Sequence, residues 1–281
     1  MNEGSVTIQP ITDVAGCRHV QTMQRHIWQG SELDLLPISM LVTFIENGAL
    51  VLGAFAPAGP PDTGGLVGFL IGWLGTTDQG KLKHCSTVAG VLPGWRGRGV
   101  GRQLKLAQRA AVLAEGLTEH VTWTYDPLNW LNGRLNIHRL GAISTTYVRN
   151  LYGQISNALN ASLPTDRCQV DWWLRSERVE RALADAPREP WRVSDLQILG
   201  TARGPDGLLH PPSAQLQFDG RPLALPLPAD VATLRQRDPD LLLTWRLYLR
   251  EVLEAAFAAG YTLVDCVQLT EQGWFYILTA Q

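Results

Sequence analysis

The chain has 281 residues, 45% of them hydrophobic, with 24 Lys plus Arg against 26 Asp plus Glu and a formal charge of −2. That apolar content can bury one large core or two modest ones, which excludes a disordered chain. The near balance of charge excludes a protein-wide electrostatic footprint for nucleic acid or an anionic membrane.

Four cysteines, Cys17, Cys85, Cys168 and Cys266, form no CxxC pair, so no zinc ribbon, redox dithiol or disulfide framework is indicated and a reducing cytoplasm is the expected compartment. The first residues carry no basic segment followed by an apolar run, and the longest apolar stretch, 66–75, is about half of a bilayer span, so no membrane association is expected.

Residues 6–9 read as a short strand, and 14–28 carry helical apolar spacing with Asp13 placed to cap the first turn. A second helix is predicted over 38–46. Residues 49–55 and 66–74 are strand-like runs joined by Pro57, Gly59, Pro60, Pro61, Asp62, Gly64 and Gly65, which predicts a β-hairpin with a long tip. Residues 82–92 read as another strand. It leads directly into Pro93-Gly94-Trp95-Arg96-Gly97-Arg98-Gly99-Val100-Gly101, past which the apolar period changes from two to about 3.6 residues. In the helix that follows, Val100, Leu104, Ala107, Ala111 and Ala114 share one face, and Gly116 stands at the C-terminal cap. Arg98, Arg102, Lys105 and Arg109 form a basic stripe along the same helix.

Residues 119–125 are strand-like, Asp126-Pro127 is a break, and Leu131, Leu135 and Leu140 support a helix ending near Gly141. Strands are predicted at 143–149 and 170–174, separated by the polar stretch 153–167. Strands and helices in mixed order, with a hairpin first, predict a mixed sheet instead of a purely parallel one. Around Ala186, Pro187, Glu189 and Pro190 the pattern lapses, and a second unit follows with short strands at 196–199, 214–218 and 223–227. Asp238 and Pro239 then begin a helix whose apolar stripe is Leu242, Trp245, Leu249, Val252 and Ala256 and whose end is Gly260. A strand pair at 261–267 and 274–278 closes the chain around Gly273.

The glycine loop at 96–101 carries the chemistry. A strand that ends in such a loop and opens a helix leaves amide N–H groups without intrahelical acceptors, at the positive end of the helix dipole, and an anion belongs there. The loop lacks the Gly-Lys-Ser/Thr ending of a nucleoside-triphosphate loop. A dinucleotide fold is disfavoured too, because the loop follows several strands and Glu119 stands at the start of the next strand instead of its end.

Val91-Leu92-Pro93 with Arg96-Gly97-Arg98-Gly99-Val100-Gly101 resembles the acyl-CoA signature of the GNAT superfamily of acyltransferases, and the surrounding element order agrees over about residues 5–176. Further segments resemble one branch of that superfamily: Thr122-Trp123-Thr124-Tyr125-Asp126-Pro127-Leu128, Asn132 and Asn136 before Leu140-Gly141-Ala142, Tyr152-Gly153, Pro164-Thr165-Asp166-Arg167, and later Pro228-Ala229-Asp230 and Trp245-Arg246. The implied fold class is α/β (mixed α+β), a GNAT-like central sheet flanked by helices over 1–178, with a smaller C-terminal α/β accessory unit over 179–281 on the acceptor side. The implied activity is transfer of an acetyl or other acyl group from acyl-CoA, acetyl-CoA foremost, to an amine or similar acceptor, a small molecule or peptide, by direct attack and without a metal. The resemblance also implies that the amides of Arg96, Gly97, Arg98, Gly99, Val100, Gly101 and Arg102 grip the pyrophosphate. Ala89, Gly90 and Val91 would pair with the pantetheine arm and polarise the thioester carbonyl, and Asn129 or Asn132 would bond the pantetheine amides.

Many GNAT enzymes place a tyrosine before the Leu-Gly pair as general acid to the leaving thiolate. Here that region holds Asn136, Ile137 and His138. Tyr125, Asp126, Asn136, Tyr147 and Tyr152 are the substitutes, with Asp126 as the base and Tyr152 as the acid. Asp126 before Pro127 equally suits a helix cap, and the two later tyrosines equally suit a sheet face. The departure also admits a non-catalytic acyl-CoA sensor of the same fold. His84 and His138 lack partners at metal-ligand spacing, and Cys85 points to the sheet face opposite His84, which disfavours a Cys–His nucleophile pair. Asp166 and Arg167 read as an ion pair or a hydrogen-bonded turn. Edge strands of a mixed sheet would permit a homodimer.

Overall fold

The computed structural model describes residues 5–28, 35–153, 163–205, 207–212, 216–270 and 273–280. These fall into two units, the first ending at Trp123 and the second running from Thr124.

The first unit contains β1 (Thr7–Pro10), α1 (Val14–Ile27), α2 (Ile38–Glu46), β2 (Leu50–Phe55), β3 (Leu66–Thr76), β4 (Leu82–Val91), α3 (Val100–Glu115) and the start of β5 (His120–Tyr125). Its strands lie in the order β1-β2-β3-β4-β5. Every neighbouring pair is antiparallel except β4 and β5, which are parallel, so the sheet is mixed as the element order predicts. Asp13 caps α1 by accepting from the Gly16 amide at 2.7 Å. Cys17, Val20 and Met23 of that helix join Leu52, Leu66, Phe69 and Leu70 of the sheet and Val100 and Leu104 of α3 in one apolar core.

The buried face of α3 corrects the sequence reading. Val100, Leu104, Lys105, Gln108 and Val112 are buried, whereas Ala114 is exposed and Ala107 and Ala111 are only half-buried. The spacing of four from Val100 through Leu104 and Gln108 to Val112 places the larger aliphatics inward, and a lysine and a glutamine travel with them. Lys105 therefore leaves the basic stripe.

The second unit contains α4 (Trp130–Gly133), a π-helical turn (Arg134–Arg139), β6 (Ile143–Val148), β7 (Arg167–Trp173), α5 (Glu177–Leu183), β8 (Gln197–Ile198), β9 (Ala202–Arg203), β10 (Leu209–His210), β11 (Leu223–Pro226), α6 (Val231–Arg237), α7 (Pro239–Ala258), β12 (Tyr261–Thr270) and β13 (Gly273–Ala280). Its sheet runs β7-β6-β12-β13-β11-β8, antiparallel apart from the parallel β11–β8 pair, and β9 pairs separately with β10. The boundary expected near 178 falls inside this unit, between β7 and α5, and β12 near the chain's end pairs with β6 through Leu263↔Ser144.

The predicted strand at 214–218 is not formed over 216–218; residues 214 and 215, like most of the polar stretch 153–167, lie outside the described residues. Helices α5 and α6, of seven residues each, are too short to show a periodic stripe, though each has a capping side chain, Ser176 and Asp230. The long helix agrees with its reading. Asp238 accepts from the Leu241 amide at 2.8 Å, Pro239 opens the first turn, and Leu242, Trp245, Leu249, Val252 and Ala256 are all buried.

Candidate functional site

The loop between β4 and α3 is built by two left-handed glycines. Gly97 has φ of +76° and Gly99 of +80°, a region in which an L side chain is strained. A Cβ built on either would meet nothing within 4 Å. Backbone handedness, not crowding, is therefore what calls for glycine there. Gly99 is the N-cap of α3 and supplies no side-chain cap. None of the turn and cap hydrogen bonds among the described residues is donated by an amide from Gly97 to Gly101. These donors and the positive helix end lie together at the start of α3, an arrangement suited to a diphosphate. Arg98 lies over the Trp95 ring, 4.9 Å from its centroid, so its charge rests beside this loop.

Upstream of the loop, β4 offers an edge. The parallel ladder with β5 comprises His84↔Val121 and Cys85↔Thr122, while β4 continues to Val91 against β3. A bulge leaves Thr87 without a counterpart on β3, because Ile71 pairs with Val88 and Gly72 with Ser86. Ala89 is exposed, Gly90 buried and Val91 half-buried. A methyl on Gly90 would come within 2.7 Å of Ile27 Cδ1 and 3.3 Å of Trp28 Cη2, so this residue lets the end of α1 close on the sheet. Arg96 Nε donates to the Val91 carbonyl at 3.1 Å and ties the loop back to the strand.

Beneath α3 lies a polar cluster that the sequence did not announce. Lys105, 5% exposed, donates through Nζ to Ser86 Oγ at 2.8 Å and to Gln108 Oε1 at 3.2 Å. The same ammonium stands 3.5 Å from the centroid of the Trp123 ring. Burial pushes the Lys105 pKa well below the ordinary lysine value. His84 is pushed down to about 4, by burial first and by the Lys105 charge second. Among the described residues His84 Nε2 and Gln108 Nε2 have no hydrogen-bond partner. Both sit over Gly72, where a Cβ would be 2.4 Å from the first and 3.0 Å from the second.

The proposed proton-transfer residues belong to the second unit. Tyr125 is buried, and burial pushes its hydroxyl well above the usual phenol range. Asp126 Oδ1 accepts from the Leu128 amide at 2.9 Å, and its Oδ2 accepts from Arg246 Nη2 at 2.8 Å. Its carboxylate thus closes a turn onto Leu128 instead of capping the following helix, whose cap is Asn129, and makes an ion pair that no sequence spacing announces. Arg246 is 1% exposed, and its Nε and Nη1 have no partner among the described residues; burial opposes its charge, and Asp126 more than restores it. Asn129 caps α4 by accepting from the Asn132 amide at 3.2 Å, which occupies its side-chain oxygen, while Asn132 is exposed. Asn136 is buried in the π-helical turn, where its backbone carbonyl accepts from the Ala142 amide at 3.1 Å.

Tyr152 is the most accessible of the candidates, at 52% exposed. Its hydroxyl lies 3.4 Å from Thr124 Oγ1 and Arg167 stands over its ring at 5.3 Å. Tyr147 instead donates to Asp166 Oδ2 at 2.8 Å, and its pKa is pushed up by burial and then by the Asp166 charge. Of the two readings of Asp166 with Arg167, the hydrogen-bonded one agrees with the structure and the ion pair does not. Arg167 Nη1 donates to the Asp166 backbone carbonyl at 2.8 Å, and the carboxylate pairs with Arg250.

No protein-family model and no curated protein matches the sequence. Among solved structures the chain is similar to acetyltransferases of the GNAT family. One is Arabidopsis thaliana NAA60 in complex with acetyl-CoA, at 14% identity and a TM-score of 0.48, with 61% of this chain and all 100% of that one covered. The NatC complex bound to Gag peptide and CoA gives 14% identity and 0.45 over 59% of this chain and 97% of that one. A GNAT-family acetyltransferase from Streptococcus pneumoniae gives 11% identity and 0.45 over 59% and 98%.

Two features of the second unit had no signal in the sequence. Trp130 and Trp274 stack with centroids 4.1 Å apart and planes 11° from parallel, with Arg134 over Trp274 at 5.3 Å. Trp130 Nε1 also donates to the Ala229 carbonyl at 3.1 Å. Partners so far apart along the chain leave no spacing to read. Among the described residues no group of three or more His, Cys, Asp or Glu is placed to hold a metal, and no helix is long and apolar enough to cross a membrane.

Proposed function

We propose that this chain is an acyl-CoA-dependent acyltransferase of GNAT type, moving an acetyl or related acyl group to an amine or similar acceptor, a small molecule or peptide, in the cytoplasm. The observation that carries the reading is the turn at Gly97 and Gly99, which joins the stretch of β4 past its last pair with β5 to a row of amides at the start of α3 that donate no turn or cap bond. The donors of residues 97–102 hold the diphosphate, the Arg96 amide expected among them donating instead to the Pro93 carbonyl at 3.2 Å, and Ala89 to Val91 align the pantetheine arm. By resemblance we assign residues 1–178 to the transferase domain and 179–281 to an accessory domain, a functional division that differs from the compact units, the second of which starts at Thr124.

When bound, acetyl-CoA supplies the activated thioester, and the residues' work is to align it and move protons. Alignment alone can be worth about 7 to 11 kcal/mol of barrier, whereas a single general acid or base contributes about 10² to 10⁴ in rate. Tyr152, the most accessible hydroxyl among the candidates, is the proposed acid. Asp126 is the proposed base, oriented by Arg246. Tyr125 and Asn136, both buried, line the same stretch in supporting roles, as do Asn129 and Asn132 for the pantetheine amides.

A second reading, a sensor that binds acyl-CoA without turnover, is favoured by one observation: Asn136 and Ile137, where a tyrosine is usual, are both buried. Titration calorimetry with acetyl-CoA, followed by turnover measured as free thiol against a panel of amines and peptides, separates the two. Binding with turnover supports the enzyme. Binding without any turnover supports the sensor, and absence of binding removes both.

A further inference from the structure

The parallel ladder of β4 and β5 stops at Cys85↔Thr122. The next residue on each strand, Ser86 and Trp123, is held by one and the same ammonium, that of Lys105, through a 2.8 Å hydrogen bond and a 3.5 Å ring contact. On its other side β4 bulges at Thr87, one residue further on. If the ladder ran one pair further, Ser86 and Trp123 would face each other with their side chains about 5 Å apart on one face of the sheet. The Lys105 ammonium contacts both of those side chains from α3, so it fills space on that face that a closer approach of the two residues would need.

A lysine in this seam is costly. No carboxylate among the described residues pairs with it, and its charge is met by a hydroxyl, a carboxamide oxygen and an aromatic face. A buried charge without a counter-ion is destabilising, and methionine or leucine would fill the space between helix and sheet at less cost. What they cannot do is bond Ser86 and attract the Trp123 face at once.

We propose that Lys105 is a positioning residue that keeps β4 and β5 parted, so that the edge of β4 from Ser86 to Val91 stays open to the pantetheine arm. This rests on the acyl-CoA reading given above. Lys105 touches neither the thioester nor the diphosphate in this scheme; it acts through the strands.

The test compares wild type, Lys105→Met and Ser86→Ala by hydrogen exchange over residues 86–91 in the ligand-free protein, and by affinity for acetyl-CoA and for 3′-phospho-ADP, its nucleotide half. Lys105→Met is expected to slow exchange over 86–91 and weaken acetyl-CoA by about tenfold while 3′-phospho-ADP binds as before. Ser86→Ala should move the same quantities in the same direction by less, and carries the comparison if the methionine variant does not fold. Unchanged or faster exchange, or equal weakening of both ligands, overturns the proposal. If wild type binds neither ligand, the acyl-CoA reading is lost, and the exchange comparison alone decides whether Lys105 spreads the strands.

Discussion

Asp166 and Arg250 meet in a two-point ion pair, with Arg250 Nε 2.8 Å from one carboxylate oxygen and Nη2 2.9 Å from the other. Asp166 is fully buried and also accepts from the Tyr147 hydroxyl and the Asn150 amide. Burial alone would raise its pKa, but Arg250, Asn150 and Tyr147 together outweigh that and hold it below the ordinary carboxylate range. Asp166→Ala strands a guanidinium and a phenol, and we expect a loss of about 3 kcal/mol in urea unfolding. The contribution of the carboxylate is present above about pH 4, the unfolded value, and fades as pH falls through the folded one. A variant as stable as wild type at neutral pH would show that the pair contributes nothing net.

Gly99→Val tests the loop. With φ of +80° the position costs an L residue about 1 to 2 kcal/mol, and a β-branched one has no relaxed alternative. Moving the backbone to relieve that strain turns the donor row away, so acetyl-CoA affinity should fall by at least about tenfold in calorimetry while the fold persists. Equal affinity would place the diphosphate elsewhere.

His84 predicts acid sensitivity. Its pKa falls from 6.5 to about 4 on folding, with burial the larger cause and Lys105 the charged group facing it. The stability gained by keeping it neutral is whole above about pH 6.5 and is lost as pH drops toward 4, about 3 kcal/mol over the window. Urea midpoints of wild type and His84→Gln at about pH 7 and about pH 4.5 should therefore converge on the acid side. Parallel pH profiles would contradict this.

Tyr152→Phe removes one exposed hydroxyl and little packing. If that hydroxyl returns the proton to the leaving thiolate, kcat should drop about 10²-fold or more with KM for acetyl-CoA unchanged. Unaltered kcat would leave the thiolate to be protonated by water or by another group.

Legibility followed the range over which physics acts. The long helix α7 was readable because twenty residues carry a stripe, a cap and a proline in register, and the glycine loop because handedness is imposed locally. Lys105 reads as a surface residue because Arg98, Arg102, Lys105 and Arg109 look like one stripe when only charge is counted, whereas its side chain is buried. Val112, larger than Ala111 and four residues past Gln108, was the signal that the inward face is rotated toward Lys105. Arg246 with Asp126, and Arg250 with Asp166, are joined only by the way the chain folds back, and neither spacing nor composition encodes them.

Because open space surrounds Gly97 and Gly99, what these positions demand is mirror-image backbone. A D-alanine introduced by chemical ligation at either one would satisfy that demand as well as glycine does. It would also stiffen the turn in the unfolded chain's disfavour. L-alanine at the same place would be the poorer residue, although the two differ by nothing but chirality.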